Sequence, residues 1–230
     1  MQPVSGLPDR PVPVWGTGGS SAVVSQPVSG VSGVESLRRA ANVRVDMVPK
    51  GTHGRKVVRR MTPRYITIHS TQNYSADASR HSLALKRGAL RAPKRRGGNR
   101  IGYLIWHYTI DENVAIQHMP TDEQGEHADF DGPGNRYSIG LEMCENRGAD
   151  LQQTIDRTAR LTAYLMHKKD IPLSRVVPHQ HWPRKGTRTP NKNCPHFLMD
   201  NGRQGRKWQA FKNRVNRYYV AAQADSIAQR

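Results

Sequence analysis

An early strand pattern that ends in histidine, and a late loop that carries a second histidine and a cysteine, constrain this chain most. Tyr65-Ile66-Thr67-Ile68-His69-Ser70 alternates, with Tyr65, Thr67 and His69 on one face and Ile66 and Ile68 on the other. His179-Gln180-His181-Trp182 and Lys192-Asn193-Cys194-Pro195 follow far downstream. Taken as one set, His69, His179 and Cys194 tie the early strand to the late loop. Two neutral imidazoles and one thiolate form a three-ligand zinc set whose fourth position stays open to water, which marks a catalytic rather than a structural site. A structural site needs a fourth protein ligand, and the sequence has no CxxC pair to supply one. Two alternatives stay open. His181 stands in for His179 if the segment is extended, because i and i+2 share a strand face. Cys144 is a second thiol, although a packed thiol is the commoner fate of a free cysteine. Each residue alone has a plain structural explanation, and only the combination argues for a metal.

The 230 residues allow one ordinary domain with extensions. A hydrophobic content of 36% is low for a fully packed chain. The formal net charge of +18 favours polyanions, whether nucleic acid, an anionic membrane or an anionic cell envelope. The two cysteines, Cys144 and Cys194, do not make a disulfide framework, and pairing them would consume the thiolate that the metal needs. No apolar run approaches the ~20 residues of a membrane span. The first residues lack the basic start and apolar stretch of a secretory signal. The expectation is therefore a protein that is not exported by that route, or a sequence that begins after a cleavage site.

Residues 1–57, rich in Gly, Ser, Pro and Val, are expected to form a flexible low-complexity extension, with a short helix near Ser36–Ala41. The folded domain is expected over 58–220, and 221–230 as a tail. Within it, helices are predicted over Ala76–Ala89, from Asp150 to Lys168, and along Trp208, Phe211, Val215 and Tyr218. Asp150 with Gln153 gives the second of these a capping pattern. Strands are predicted over Ile101–Ile110 and Val114–His118 around the turn Asp111-Glu112-Asn113, over Tyr137–Cys144, and at Val176-Val177. This is an α/β pattern, a central mixed sheet flanked by helices. In the Tyr137–Cys144 strand, Glu142 shares a face with Gly140 and Cys144, where small residues leave room, while Ile139, Leu141 and Met143 fill the other. Lys192, two residues before Cys194 on an extended segment, points the same way as that thiol.

From Arg64 to Val215 the chain resembles the zinc-dependent N-acetylmuramoyl-L-alanine amidases, the group that includes phage lysozyme-amidases, bacterial autolysins and animal peptidoglycan recognition proteins. The resemblance rests on five segments in order: the strand ending in His69; Trp106-His107-Tyr108-Thr109-Ile110-Asp111-Glu112; Glu126-His127-Ala128; Ser138-Ile139-Gly140-Leu141-Glu142; and His179 with Lys192-Asn193-Cys194-Pro195. It implies a single amidase domain with Zn2+ held by His69, His179 and Cys194, and favours His179 over His181. It implies Glu142 as the proton acceptor and Lys192 as the group that steadies the oxyanion, with Trp106 and His127 in the substrate groove. The implied substrate is peptidoglycan, cut between the lactyl group of N-acetylmuramic acid and L-alanine, in a cell-wall or extracytoplasmic setting, by a monomer. One departure is the loop Pro183–Asn191, longer than is usual in the family, which bears on the substrate pocket.

The basic segments Arg91–Arg100, Pro183–Asn191 and the last helix (Arg206, Lys207, Lys212, Arg214, Arg217) are candidates for attraction to anionic wall polymers or lipids. Two rival readings are a peptidoglycan-binding module without activity, and a nucleic-acid-binding protein. The second rests on charge alone, since no RNP, helix-turn-helix or finger pattern accompanies it; no specific nucleic acid is expected as a partner.

Overall fold

The computed structural model describes residues 33–92, 101–183, 188, 190 and 192–228. The basic residues Lys94, Arg95, Arg96 and Arg100, most of the Pro183–Asn191 loop, and residues 1–32 lie outside the described residues. In chain order the elements are α1 (Gly33–Ala40), β1 (Val43–Val45), β2 (Tyr65–Ser70), α2 (Ala78–Lys86), β3 (Tyr108–Ile110), β4 (Ala115–Gln117), α3 (Pro133–Tyr137), β5 (Ser138–Met143), α4 (Leu151–Lys169), β6 (Val176–Pro178) and α5 (Arg206–Ala228).

Six strands form one sheet in the order β1-β4-β3-β5-β2-β6. Among the described residues, β3 and β4 are the one antiparallel pair of this sheet, and the other neighbours are parallel. The expected α/β fold with a central mixed sheet is therefore present. The antiparallel turn is closed by the Asp111 carboxylate, whose Oδ1 accepts from the Asn113 and Val114 amides at 2.8 Å each. Its other oxygen accepts from the Ala78 amide at 3.1 Å, which seats the start of α2 beside the turn.

Period-2 alternation decides what each sheet face does. Ile66 and Ile68 of β2, Tyr108 and Ile110 of β3, and Ile139, Leu141 and Met143 of β5 enter the main core with α1, α4 and α5. Thr67, His69, Thr109, Gly140 and Glu142 alternate onto the opposite face. There Ala78 of α2 packs with Ile116 and Cys144. The polar, chemistry-bearing face is thus the one that α1, α4 and α5 leave free.

Helix α4 starts where expected. The Asp150 side chain accepts from the Gln152 and Gln153 amides at 2.9 and 3.0 Å, filling two orphan donors of the first turn. Its buried face is wider than the stripe of apolar residues, because Thr154, Thr158 and Thr162 are also fully buried. Each hydroxyl donates to the carbonyl four residues earlier, at 3.2, 2.8 and 2.7 Å, so no polar group is stranded. In α5 Trp208, Phe211 and Val215 are buried as predicted, while Tyr218 is half-buried and donates its hydroxyl to Asp156 at 2.6 Å.

Three expectations need correction. Residues 33–57 are not a flexible extension. Leu37 and Ala41 lie in the main core, β1 pairs with β4, and Val48 is fully buried with its amide bonded to the His118 carbonyl. Arg55 makes a bidentate, nearly buried ion pair with Glu123, at 2.9 and 2.8 Å. Nor are residues 221–228 a tail: α5 runs to Ala228, and Ala222 is 3% exposed. A Cβ on Gly33 would stand 2.8 Å from the Ala222 carbonyl oxygen, so α1 and α5 approach as only a glycine permits. Finally, the strand expected over Ile101–Ile110 is confined to Tyr108–Ile110. Upstream the chain turns at Gly102, with φ of +81°, and makes isolated bridges from Tyr103 to Arg91 and from Ile105 to Glu126.

Candidate metal centre

The parallel register assembles the site. His69 on β2 stands beside Glu142 on β5, and Thr109 on β3 flanks Glu142 on its other side. Ile68 pairs with Pro178 at the end of β6, so the chain delivers His179 next to His69. All of these lie at the C-terminal ends of parallel strands, where an open α/β sheet leaves its crevice.

His69, His179 and Cys194 converge, with one potential ligand atom from each lying within 4.8 Å of the others. All three are buried. The His69 and His179 Nδ1 atoms are 3.0 Å apart. Two imidazole nitrogens on a tetrahedral zinc stand roughly 3.3 Å apart, given bond lengths of about 2.0–2.1 Å. The spacing therefore suits a shared ion with little movement.

Hydrogen-bond accounting agrees. His179 Nε2 is 3.0 Å from the Ala128 carbonyl, which can only accept, so the proton sits on Nε2 and Nδ1 presents a lone pair. His69 Nε2 is 3.0 Å from His127 Nδ1. For His69 to offer an Nδ1 lone pair, its proton must lie on Nε2 and be accepted by His127. Burial holds His69 and His127 well below the ordinary imidazole range and lowers His179 to about 4, so all three are neutral near pH 7, as ligation requires. The Cys194 sulfur accepts from the Ser70 amide at 3.2 Å, and burial pushes its thiol up to about 12. A bound cation supplies the compensation that a buried thiolate otherwise lacks. The donor set thus fits a metal ion.

Glu142 completes the cluster. Its Oε1 is 3.7 Å from His69 Nδ1, and its Oε2 is buried without a hydrogen-bond partner among the described residues. Burial raises this carboxyl to about 7, against the lowering pull of the Lys192 ammonium. A carboxyl poised there can both take and return a proton at neutral pH. Lys192 is itself exposed, and its charge also disfavours protonation of His69 and His179. Glu142, His179 and Lys192 share a cavity of about 240 Å³ with Trp106, Glu126 and His127.

Trp106 is 5% exposed, and its indole nitrogen donates to Thr109 at 2.7 Å. His127 is turned inward, its Nδ1 against His69, and its ring explains the glycine at 140: a Cβ there would stand 2.8 Å from the imidazole. His181 does not enter the cluster. Residues 179–181 form a 3-10 turn rather than a strand, so His179 is buried while His181 is exposed. Cys144 is a packed thiol among Ala78 and Ile116, with burial raising its pKa.

Asp129 and Asn135 hold the site together and were not singled out from sequence. Asn135 Oδ1 accepts from the His127 and Ala128 amides at 2.9 and 2.8 Å. Asp129 accepts from the Gly134 and Asn135 amides at 2.8 Å each. Together they fix both the His127 ring and the Ala128 carbonyl that orients His179. The segment Gly132-Pro133-Gly134-Asn135 reads as a turn before a strand, and nothing local marks its side chains as supports for a neighbouring loop.

The sequence profile of the N-acetylmuramoyl-L-alanine amidases matches residues 59–197. The chain is 35% identical over 193 residues to N-acetylmuramoyl-L-alanine amidase XlyA of Bacillus subtilis (strain 168), covering 81% of this chain and 56% of that protein. It is 37% identical over 160 residues to N-acetylmuramoyl-L-alanine amidase CwlH of the same organism, covering 68% and 54%. It therefore spans about half the length of these curated relatives. Among solved structures, the catalytic domain of XlyA aligns with a TM-score of 0.61 at 36% identity, covering 76% of this chain and 99% of that domain. The PlyG catalytic domain aligns with a TM-score of 0.60 at 26% identity, covering 78% and 96%. The chain belongs to the N-acetylmuramoyl-L-alanine amidase family.

Proposed function

We propose that this chain hydrolyses the amide between N-acetylmuramic acid and L-alanine in peptidoglycan, with Zn2+ held by His69, His179 and Cys194. The observation that carries the reading is the convergence of that donor set beside Glu142, whose carboxylate lies 3.7 Å from His69 and opens, with His179 and Lys192, on one cavity. The printed names of XlyA and CwlH supply the bond class.

Bound there, zinc supplies Lewis acidity, lowering the pKa of water at its open position to about 7. The chain's own groups do the rest. Glu142 accepts the proton of the attacking water and returns it to the amide nitrogen, so that the C–N bond breaks with L-alanine leaving as a neutral amine and the lactyl carbon gaining the new oxygen. The Lys192 ammonium, on the same cavity wall, offsets the charge that develops on the carbonyl oxygen. Trp106 gives the cavity a flat apolar side, fixed by its bond to Thr109. His127 and the Ala128 carbonyl orient the two imidazoles. The substrate places the work in the cell wall, outside the cytoplasmic membrane.

The test is digestion of purified peptidoglycan with and without a chelator, with mass spectrometry of the new ends. Free L-alanine amino termini that vanish with chelation and return with zinc are expected. Metal analysis should find one zinc per chain, lost or sharply reduced in Cys194→Ser. Wall binding without new ends would identify a non-catalytic member of the fold instead.

A further inference from the structure

We infer that the cleft between α4 and α5, none of whose lining residues belongs to the metal cluster, is a binding site for phosphate groups of a polyanion. The cleft has a volume of about 720 Å³. Arg157 and Arg160 of α4 and Arg214 and Arg217 of α5 line it, and Asp156 is the lone carboxylate among its lining residues.

Three of these guanidinium groups are built in rather than loose. Arg157 donates to the carbonyls of Asp111, Ala40 and Glu112, at 3.1, 3.2 and 2.7 Å. Those three bonds leave two of its five N–H groups uncommitted. Arg160 is paired with Asp156 at 2.9 Å and lies over the Tyr218 ring, 4.3 Å from its centroid. Arg214 stands 3.8 Å from the same carboxylate. Arg217 is exposed and makes no hydrogen bond or ion pair among the described residues. Four cations therefore face one anion, and that anion is already shared between Arg160, Arg214 and the Tyr218 hydroxyl.

An arginine cluster held this way keeps a standing excess of positive charge in a concave site. A planar guanidinium offers two parallel donors that match phosphate oxygens, and side chains already ordered lose less freedom on binding. Structural need accounts for Arg157, which staples α4 to the β3–β4 turn and to the end of α1. It does not account for Arg217, nor for gathering four guanidinium groups around one cavity. The site shares no residue with the metal cluster, so it serves attachment rather than bond cleavage, and it stands whether or not the amidase reading does.

The test uses the full chain, with linear tripolyphosphate as the soluble probe and phosphatidylcholine vesicles containing phosphatidylglycerol as the membrane probe. Two double variants remove the same charge: Arg214→Gln/Arg217→Gln in the cleft, and Arg147→Gln/Arg203→Gln on exposed positions elsewhere. The cleft variant should lose about tenfold or more in tripolyphosphate affinity, since hydrogen bonds to charged groups are the strong ones, while the control variant stays close to wild type. Thermal midpoint and hydrolysis of a soluble muropeptide should be unchanged in both. A selective loss seen only with vesicles supports the site and assigns its phosphate to a lipid headgroup. Equal losses in the two variants, or no binding of wild type to either probe, would overturn the inference.

Discussion

At the scale of single residues, proton bookkeeping is what links the cluster to chemistry. Glu142→Gln keeps the shape beside His69 but removes the proton acceptor. Turnover on a soluble muropeptide should fall about 10²- to 10⁴-fold with zinc content unchanged; a variant within a few-fold of wild type would exclude Glu142 from the proton transfer. His127→Phe removes the acceptor that lets His69 hold its proton on Nε2. Zinc affinity, measured by competition with a chromogenic chelator, should drop about 10- to 100-fold, because partners of metal ligands orient them and set their basicity. The thiol adds a pH dependence whose sign follows from its raised pKa. With the Cys194 thiol near 12, the metal-free protein holds that proton throughout the neutral range, and loading must expel it. Apparent zinc affinity should therefore weaken by about tenfold per unit fall in pH for that one proton, and a flat profile would show the sulfur is not a ligand.

At the scale of elements, sequence was informative where the pattern was local. The alternation set His69 apart from Ile66 and Ile68, and Glu142 apart from Ile139, Leu141 and Met143, since a strand's faces are fixed by its own period; that the two share one face of the sheet comes from the pairing of β2 with β5. The Asp150 cap was legible for the same reason. The segment 33–57 was not, because its burial comes only from distant partners: Leu37 from α4 and α5, β1 from β4, and Arg55 from Glu123. Beyond the short helix expected near Ser36–Ala41, its Val- and Arg-containing sequence gives no periodic signal of those contacts. His179 against His181 also turned on local geometry that two residues do not reveal, a 3-10 turn in place of a strand. Removal of residues 1–57 strips a strand from the sheet edge and Leu37 and Ala41 from the core, so the truncated chain should lose its cooperative melting transition or melt far lower. Glu123→Ala in the full chain should cost about 3–5 kcal/mol in denaturant unfolding, because it leaves the Arg55 guanidinium nearly buried and unpaired. Unchanged stability in both would return this segment to the status of an appendage.

At the scale of the whole molecule, the charge of +18 has to be set against a site that is small, concave and shielded. The two act over different ranges. Attraction between a basic surface and an anionic wall is screened over about 8 Å at physiological ionic strength, so salt weakens attachment. The contacts on which the proposed cleavage depends, such as Glu142 at 3.7 Å from His69, lie well inside that distance and largely out of water. Activity on whole cell walls should therefore fall steeply between low and high salt, while cleavage of a small soluble muropeptide changes little. Neutralising Lys94, Arg95 and Arg96 together should reproduce the wall-specific loss if that segment contributes to the attraction. Equal salt sensitivity on both substrates would mean that salt acts on the site or the fold itself, and the excess charge would then serve only to keep the chain soluble.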